Sequence, residues 1–299
     1  MKLVFKTPAK INFCLYVLGK RPDGYHEVET VLQMVSLYDN VELEALDSAV
    51  ELVCDAPGVP SDSSNLVVRA ALLLKDSFPR RKGLGCRIKL EKNIPVGAGL
   101  GGGSGNAAGV LWGLNLLWDL KLKKEDLMVL AAHLGSDVPF FLCSPLARGT
   151  GRGERVVPLQ PAKKMDIILV FPRLSIAASV VYANKNLKLT TGRNNISMLE
   201  KNLLRQDFAG VGASLHNDLE PIVLKDYPGV QDLKEKLETF QPEGALVSGS
   251  GSTVFAVFAD SNAAGRAYTA CKKAGWDTFL TETISSFSEF VPERMLNYP

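Results

Sequence analysis

The chain is predicted to be an α+β protein of two domains, on three observations. Its first sixty residues read mostly as strand, while the remainder mixes helix and strand patterns irregularly. Nowhere is there the strict strand–helix alternation that builds a doubly wound parallel sheet. At 299 residues the chain exceeds what one core usually serves, which favours two units of roughly 150 residues. Pro158 and Pro161 flank a polar connector, so residues 1–160 are assigned to the first domain and 161–299 to the second.

Taken in order, the elements follow from spacing. In Ala9–Val17 the odd positions Ala9, Ile11, Phe13, Leu15 and Val17 are apolar, the period of a strand. That period puts Lys10 and Asn12 together on the other face, roughly 7 Å apart. Gly19–Gly24 is a turn by composition, and Val28–Leu37, Val41–Ala45 and Val50–Cys54 read as further strands. A helix is expected over 65–78, with Asn65 as its cap, and a strand over Cys86–Leu90. Beyond a glycine-rich segment come helices at Asn106–Leu120 and Lys124–Leu134, then a connector, Gly149–Gly153. Ile167–Phe171 has a buried-strand pattern, and helical patterns occupy Ala177–Leu187, Leu215–Leu224 and Val230–Phe240. Strand, turn and strand over Gly244–Phe258 precede a helix at Asn262–Ala274 and a last strand at Trp276–Thr281.

Composition excludes several function classes. With 34 basic and 32 acidic residues the net charge is only +2, unlike the strongly basic domain of a dedicated nucleic-acid binder. The five cysteines are scattered without a Cys-x-x-Cys pair, and there are three histidines, so no zinc-ligand spacing exists. They read as buried thiols of a reducing compartment. No apolar run reaches membrane-spanning length, and the opening Met1–Pro8 does not read as a signal peptide. A soluble cytoplasmic protein without membrane or nucleic-acid partners is expected. The sequence carries no signal for oligomeric state.

The most informative segment is Pro95–Asn106, where six glycines and Ser104 sit between a strand and an apolar helix. Glycine permits positive φ and close backbone approach, so successive N–H groups can form an anion-binding nest. The following helix adds unpaired N–H groups and the positive end of its dipole, which makes phosphate the natural guest. A flexible linker is the plainer alternative. No lysine follows the glycines as a Walker loop requires. Gly97, Gly99 and Gly102 fit Gly-x-Gly-x-x-Gly, but the acidic residue that a dinucleotide site needs about 20 residues on is missing. A protein-kinase Val-Ala-Ile-Lys strand and His-Arg-Asp segment are missing too.

Three stretches together resemble the GHMP superfamily of small-molecule kinases, named for galactokinase, homoserine kinase, mevalonate kinase and phosphomevalonate kinase. They are Thr7-Pro-Ala-Lys10-Ile-Asn12, the loop Pro95–Ala108, and the late segment Val247–Phe255 with its Ser248-Gly-Ser-Gly-Ser252 turn. Arg21-Pro-Asp-Gly-Tyr-His26 and Gly135-Ser-Asp137-Val-Pro139 are similar to the members that act on a cytidine diphosphate ester of methylerythritol. The family usually carries two serines after the glycines; here the second position is Gly105.

The resemblance implies a two-domain GHMP fold, with an N-terminal domain like ribosomal protein S5 and a ferredoxin-like C-terminal domain. It implies ATP and Mg²⁺ as cofactors and transfer of the γ-phosphoryl group to a 2-hydroxyl of the small-molecule cytidine diphosphate substrate. Asp137 would accept the hydroxyl proton, and Lys10 would keep it ionised and oriented. By sequence alone Asp137 reads first as a helix cap before Pro139, a reading the surrounding motifs reverse, and Lys10 reads as a surface lysine. ATP would contact Pro95, Val96, Gly97, Ala98, Gly99, Leu100, Gly101, Gly102, Gly103, Ser104 and Gly105, with Asn65 and Lys92 nearby. Substrate contacts implied are Asn12, Tyr25, His26, Tyr182 and Ser250, with Arg152 or Arg148 at the diphosphate. Tyr182 reads alternatively as a core residue, and the Ser248–Ser252 turn as an ordinary hairpin. No carboxylate is marked out for a metal.

Overall fold

The computed structural model describes residues 2–191 and 194–298. Two long strands, β1 (Lys2–Lys20) and β2 (His26–Leu46), pair antiparallel along nearly their whole length. The two strands expected over 28–37 and 41–45 are therefore one. Register shifts at Pro8/Ala9, Asn12/Cys14 and Val17/Gly19 let the pair bend without ending. β3 (Val50–Val53) follows, and then α1 (Leu66–Asp76), whose cap is Asn65 as expected: its Oδ1 accepts from the Val67 N–H at 3.0 Å.

β4 (Gly85–Glu91) leads through the glycine segment into α2 (Gly102–Leu117). This helix starts four residues before the expected Asn106, so Gly102–Gly105 belong to its first turn. α3 (Lys124–Leu134) matches its expected span, and α4 (Phe140–Cys143) is a single turn. The stretch expected as a connector, Gly149–Gly153, is instead the end of β5 (Leu146–Thr150) and the turn into β6 (Arg155–Pro158). Strand order in this sheet is β3-β4-β2-β1, with β5 on the free half of β2 and β6 on β5. One core fills between sheet and helices, with Leu3, Leu43, Leu74, Ile88, Leu111 and Leu114 wholly buried.

The second sheet begins with β7 (Asp166–Phe171). α5 (Ala178–Tyr182) stops five residues short of the expected Leu187. Then come α6 (Ile196–Arg205) and α7 (Phe208–Ala213), neither of which was expected. Leu215–Leu224 was expected as one helix; it is β8 (His216–Asn217) and then α8 (Glu220–Asp226). The cause is non-local: β8 pairs parallel with Cys14 and Leu15 of β1, and the Asp218 carboxylate accepts from the Val17 N–H at 2.7 Å. α9 (Pro228–Glu238), β9 (Gly244–Val247), β10 (Val254–Phe258), α10 (Ser261–Lys273) and β11 (Asp277–Glu282) run as expected within two residues, and α11 (Glu293–Leu296) closes the chain. The sheet is antiparallel in the order β11-β7-β10-β9, and β7 and β10 are buried on both faces. Ile284, Val291 and Met295 return to pack on the first core. Among the described residues no helix is long and apolar enough to cross a membrane.

Candidate active site

Lys10 and Asn12 occupy the face of β1 that the alternation assigns them, but that face is roofed. Lys10 is only 4% exposed, so the surface-lysine alternative falls. A Cβ at Gly101 would lie 2.8 Å from Lys10 Cγ, and one at Gly249 would lie 3.4 Å from Lys10 Nζ. The glycine segment and the late turn thus close over the lysine from both sides. Lys10 Nζ donates to Asn12 Oδ1 at 2.7 Å and lies 3.4 Å from Asp137 Oδ2. Asp137 therefore does not serve as a helix cap: the N-cap of α4 is Pro139, without a side-chain cap bond. Burying an ammonium is costly unless it is paired and hydrogen-bonded, and here it is both.

The glycine segment is no linker. Five successive carbonyls, Val96 to Leu100, accept in turn from Ser175 Oγ, Ile176 N, Thr253 N, Ser248 Oγ and Lys10 N at 2.9–3.3 Å. Residues on either side of the proposed boundary hold it. Gly99 has φ +78°, and a Cβ there would overlap the Ser248 carbonyl oxygen. Gly101, at φ +67°, caps α2 and reverses the chain over Lys10. The first-turn N–H groups of α2 lack helical partners and stand beside Ser104. Gly105 has its own packing reason: a Cβ would sit 2.9 Å from the Pro8 carbonyl oxygen, so a serine here forces α2 away from β1.

Beneath the segment lies a buried network that sequence reasoning missed. Asp39, wholly buried, accepts from Lys92 Nζ, from the Asn93 and Ile94 N–H groups at 2.7 and 2.9 Å, and from Asn106 Nδ2 at 2.9 Å. Lys92 also donates to Asn106 Oδ1 at 3.0 Å, and Asn106 donates to Thr7 Oγ1. One carboxylate so ties the entrance of the glycine segment to the first turns of α2. An isolated Asp at a strand's polar interruption gives no such signal.

An open cavity of about 1010 Å³ lies against this assembly. Its inner end is formed by Lys10, Asn12, Asp137, Ser104, Gly99 and Gly101, and its outer end by Tyr25, His26, Arg152 and Tyr182, with Ser250 on the rim. Residues far apart in sequence, such as Lys10 and Asp137, thereby meet. Tyr182 packs against the second core and also lines this cavity. It stacks on His26, centroids 5.3 Å apart and planes at 29°. Burial, followed by the nearby Lys20 charge, holds the His26 imidazolium below its ordinary range, so the ring is neutral at pH 7. Arg152 lies over the exposed Tyr25 ring at 4.6 Å. Arg148 is committed elsewhere, to Glu29 and to Glu200 at 3.6 Å, which leaves Arg152 as the arginine on the cavity.

Other expected contacts lie off this cavity. Asn65 caps α1 and donates to the Pro60 carbonyl, and Lys92 is held by Asp39. Pro95, Val96, Gly97, Ala98, Leu100, Gly102, Gly103 and Gly105 shape the segment without lining the cavity. Also on the wall, and not expected, are Lys20, Asp23, Thr30 and Ser136. Among the described residues no three His, Cys, Asp or Glu side chains gather as a metal site.

Comparison with known proteins agrees with this architecture. The GHMP kinases N terminal domain matches residues 65–144, and the GHMP kinases C terminal domain matches 199–276. A 4-diphosphocytidyl-2-C-methyl-D-erythritol kinase of Geobacter sp. is 43% identical over 286 residues, 95% of this chain and 99% of that protein. The protein of the same name from Syntrophotalea carbinolica is 40% identical over 287 residues, 94% of this chain and 99% of its own. A crystal structure of 4-(cytidine 5'-diphospho)-2C-methyl-D-erythritol kinase superposes with a TM-score of 0.80 at 31% identity, covering 96% of this chain and all of that one. With its two-sheet α+β fold and near-complete coverage at this identity, the chain belongs to the GHMP kinases and, among them, to the 4-diphosphocytidyl-2-C-methyl-D-erythritol kinase family.

Proposed function

We propose that the chain transfers the γ-phosphoryl group of Mg²⁺-bound ATP to the 2-hydroxyl of 4-diphosphocytidyl-2-C-methyl-D-erythritol, a step of non-mevalonate isoprenoid biosynthesis. The observation that carries this reading is the Lys10–Asp137 pair, 3.4 Å apart where the glycine segment meets the cavity. Phosphoryl transfer to an alcohol is mainly positioning and charge stabilisation, with one group to take the hydroxyl proton. Asp137 is that group, being the carboxylate on the inner wall. The substrate oxygen forms its bond to the γ-phosphorus as the bond to the β-phosphate oxygen breaks, and ADP leaves. Lys10 orients Asp137 and faces the transferring group's negative charge.

The remaining assignments follow the cavity's two ends. Phosphates rest on the first turn of α2, with Ser104 Oγ beside them. Ser104 would be the residue to share a nucleotide-bound Mg²⁺, which would supply neutralisation of the phosphates' negative charge. At the outer end neutral His26 offers one donor and one acceptor to the cytosine edge, and Tyr25 and Tyr182 supply rings for stacking. Asn12 faces the methylerythritol hydroxyls, Ser250 closes over them, and Arg152 meets the diphosphate.

Asp137→Asn tests the reading. It keeps the shape and removes the proton acceptor, so ATP binding should persist while kcat falls about 10²–10⁴-fold. Parental turnover in that variant removes Asp137 from the base role.

A further inference from the structure

Lys10 is oriented by Asn12, and an asparagine amide can do this only one way round. Its oxygen must face the ammonium; the reverse rotamer presents an NH₂ group to a positive charge. The amide looks nearly alike in both settings, so something beyond Asn12 has to choose. That choice is made by Thr30, on the neighbouring strand β2 and 3% exposed. Its hydroxyl donates to the Cys14 carbonyl at 2.6 Å, which uses its only proton. What it shows to Asn12 is therefore a lone pair, and Asn12 Nδ2 donates to it at 2.8 Å. The Asn12 oxygen is thereby turned to Lys10 Nζ.

The threonine is itself locked. Thr30 pairs with Gly149 of β5, and a Cβ at Gly149 would lie 3.0 Å from Thr30 Cγ2. The methyl sits over that glycine, and a β-branched side chain has few other χ1 settings to adopt. A directional chain thus runs from the Cys14 carbonyl through Thr30 and Asn12 to Lys10 and Asp137.

We infer that Thr30 is a positioning residue for phosphoryl transfer, acting by fixing the Asn12 amide so that Lys10 is held against Asp137. This rests on the roles given above to Lys10 and Asp137. The role is distinct from substrate contact, although Thr30 touches the cavity wall, and kinetics separate the two.

The test is steady-state turnover of full-length Thr30→Val and Thr30→Ser with Mg²⁺, ATP and the cytidine diphosphate substrate, Asp137→Asn run alongside. Valine keeps the shape and loses the hydroxyl. Its kcat should fall about tenfold, in line with one misdirected buried hydrogen bond, with both KM values within about twofold of the parent. Serine keeps the hydroxyl and should recover kcat to within about threefold. Unchanged kcat in Thr30→Val, or a raised substrate KM with kcat intact, overturns the inference; the latter marks a direct substrate contact. Should the valine variant fail to fold, Asn12→Asp supplies the second arm. An aspartate presents an oxygen whichever way it turns, so Thr30→Ala should cost less kcat in that background than alone; equal costs overturn the inference. If Asp137→Asn is inactive while Thr30→Val matches the parent, only the positioning role falls. If Asp137→Asn keeps full turnover, the catalytic reading falls and this inference with it.

Discussion

Gly99→Ala is a severe test of how the glycine segment is held. Two costs arise at one atom. At φ +78° an L-residue occupies the left-handed region, at about 1–2 kcal/mol. The added Cβ would also overlap the Ser248 carbonyl oxygen and lie 2.9 Å from that of Gly251. Both neighbours are backbone, which yields less readily than a side-chain end, so overpacking adds about 1–3 kcal/mol. Together these give about 2–5 kcal/mol, or a melting point lowered by roughly 3–8 °C for a protein of this size. Gly103→Ala is the internal control. It lies in the first turn of α2 without positive φ, and its Cβ would meet only Leu66 Cδ1 at 3.6 Å. Alanine there should be neutral or stabilising by up to about 1 kcal/mol. Thermal melting followed by circular dichroism, with ATP affinity measured by calorimetry, compares the two. Gly99→Ala melting within about 1 °C of the parent refutes the account of the docked segment.

Three further outcomes are expected. Asp39→Ala leaves the Lys92 ammonium buried without its partner and should cost about 3–5 kcal/mol, more than Lys92→Met, which leaves Asp39 its backbone and Asn106 donors; the reverse order in urea unfolding contradicts this. Gly105→Ser should lower the melting point, because the Pro8 carbonyl stands 2.9 Å from the new Cβ, and an unchanged melting curve shows that α2 shifts freely. Because the folded-state value for His26 is lowered, neutral His26 persists at pH 7 and its share of stability is complete above about pH 6.5, fading as pH falls through the folded value. The substrate KM should therefore be flat from pH 8 to about 6.5 and rise below, with the rise moved to higher pH in Lys20→Met; a KM that falls on acidification contradicts the assignment.

What could be read in the sequence was whatever depends on neighbours along the chain. The period of two placed Lys10 and Asn12 on one face, Asn65 declared itself as a cap, and α3 showed its limits. The glycine run between strand and helix pointed to a phosphate site, though the start of α2 inside it was hidden, since glycines are poor markers of a helix. α6 carried its signal, with Ile196, Leu199 and Leu203 buried at helical spacing, and was overlooked. Other features had no local signal at all. His216 and Asn217 read as helical until β1 claims them as a strand. Asp39, Lys92 and Asn106 become one network only when β2, the segment and α2 converge, and Thr30 matters only because Asn12 lies across the sheet from it. Arg148 and Arg152 were indistinguishable until Glu29 and Glu200 engaged the first.

The most direct test of the central claim is coupled ADP release with ATP and Mg²⁺, comparing 4-diphosphocytidyl-2-C-methyl-D-erythritol with methylerythritol 4-phosphate, homoserine and mevalonate. The account expects turnover with the cytidylated substrate alone. Turnover with one of the others, and none with the cytidylated compound, would contradict the roles given to Tyr25, His26 and Tyr182.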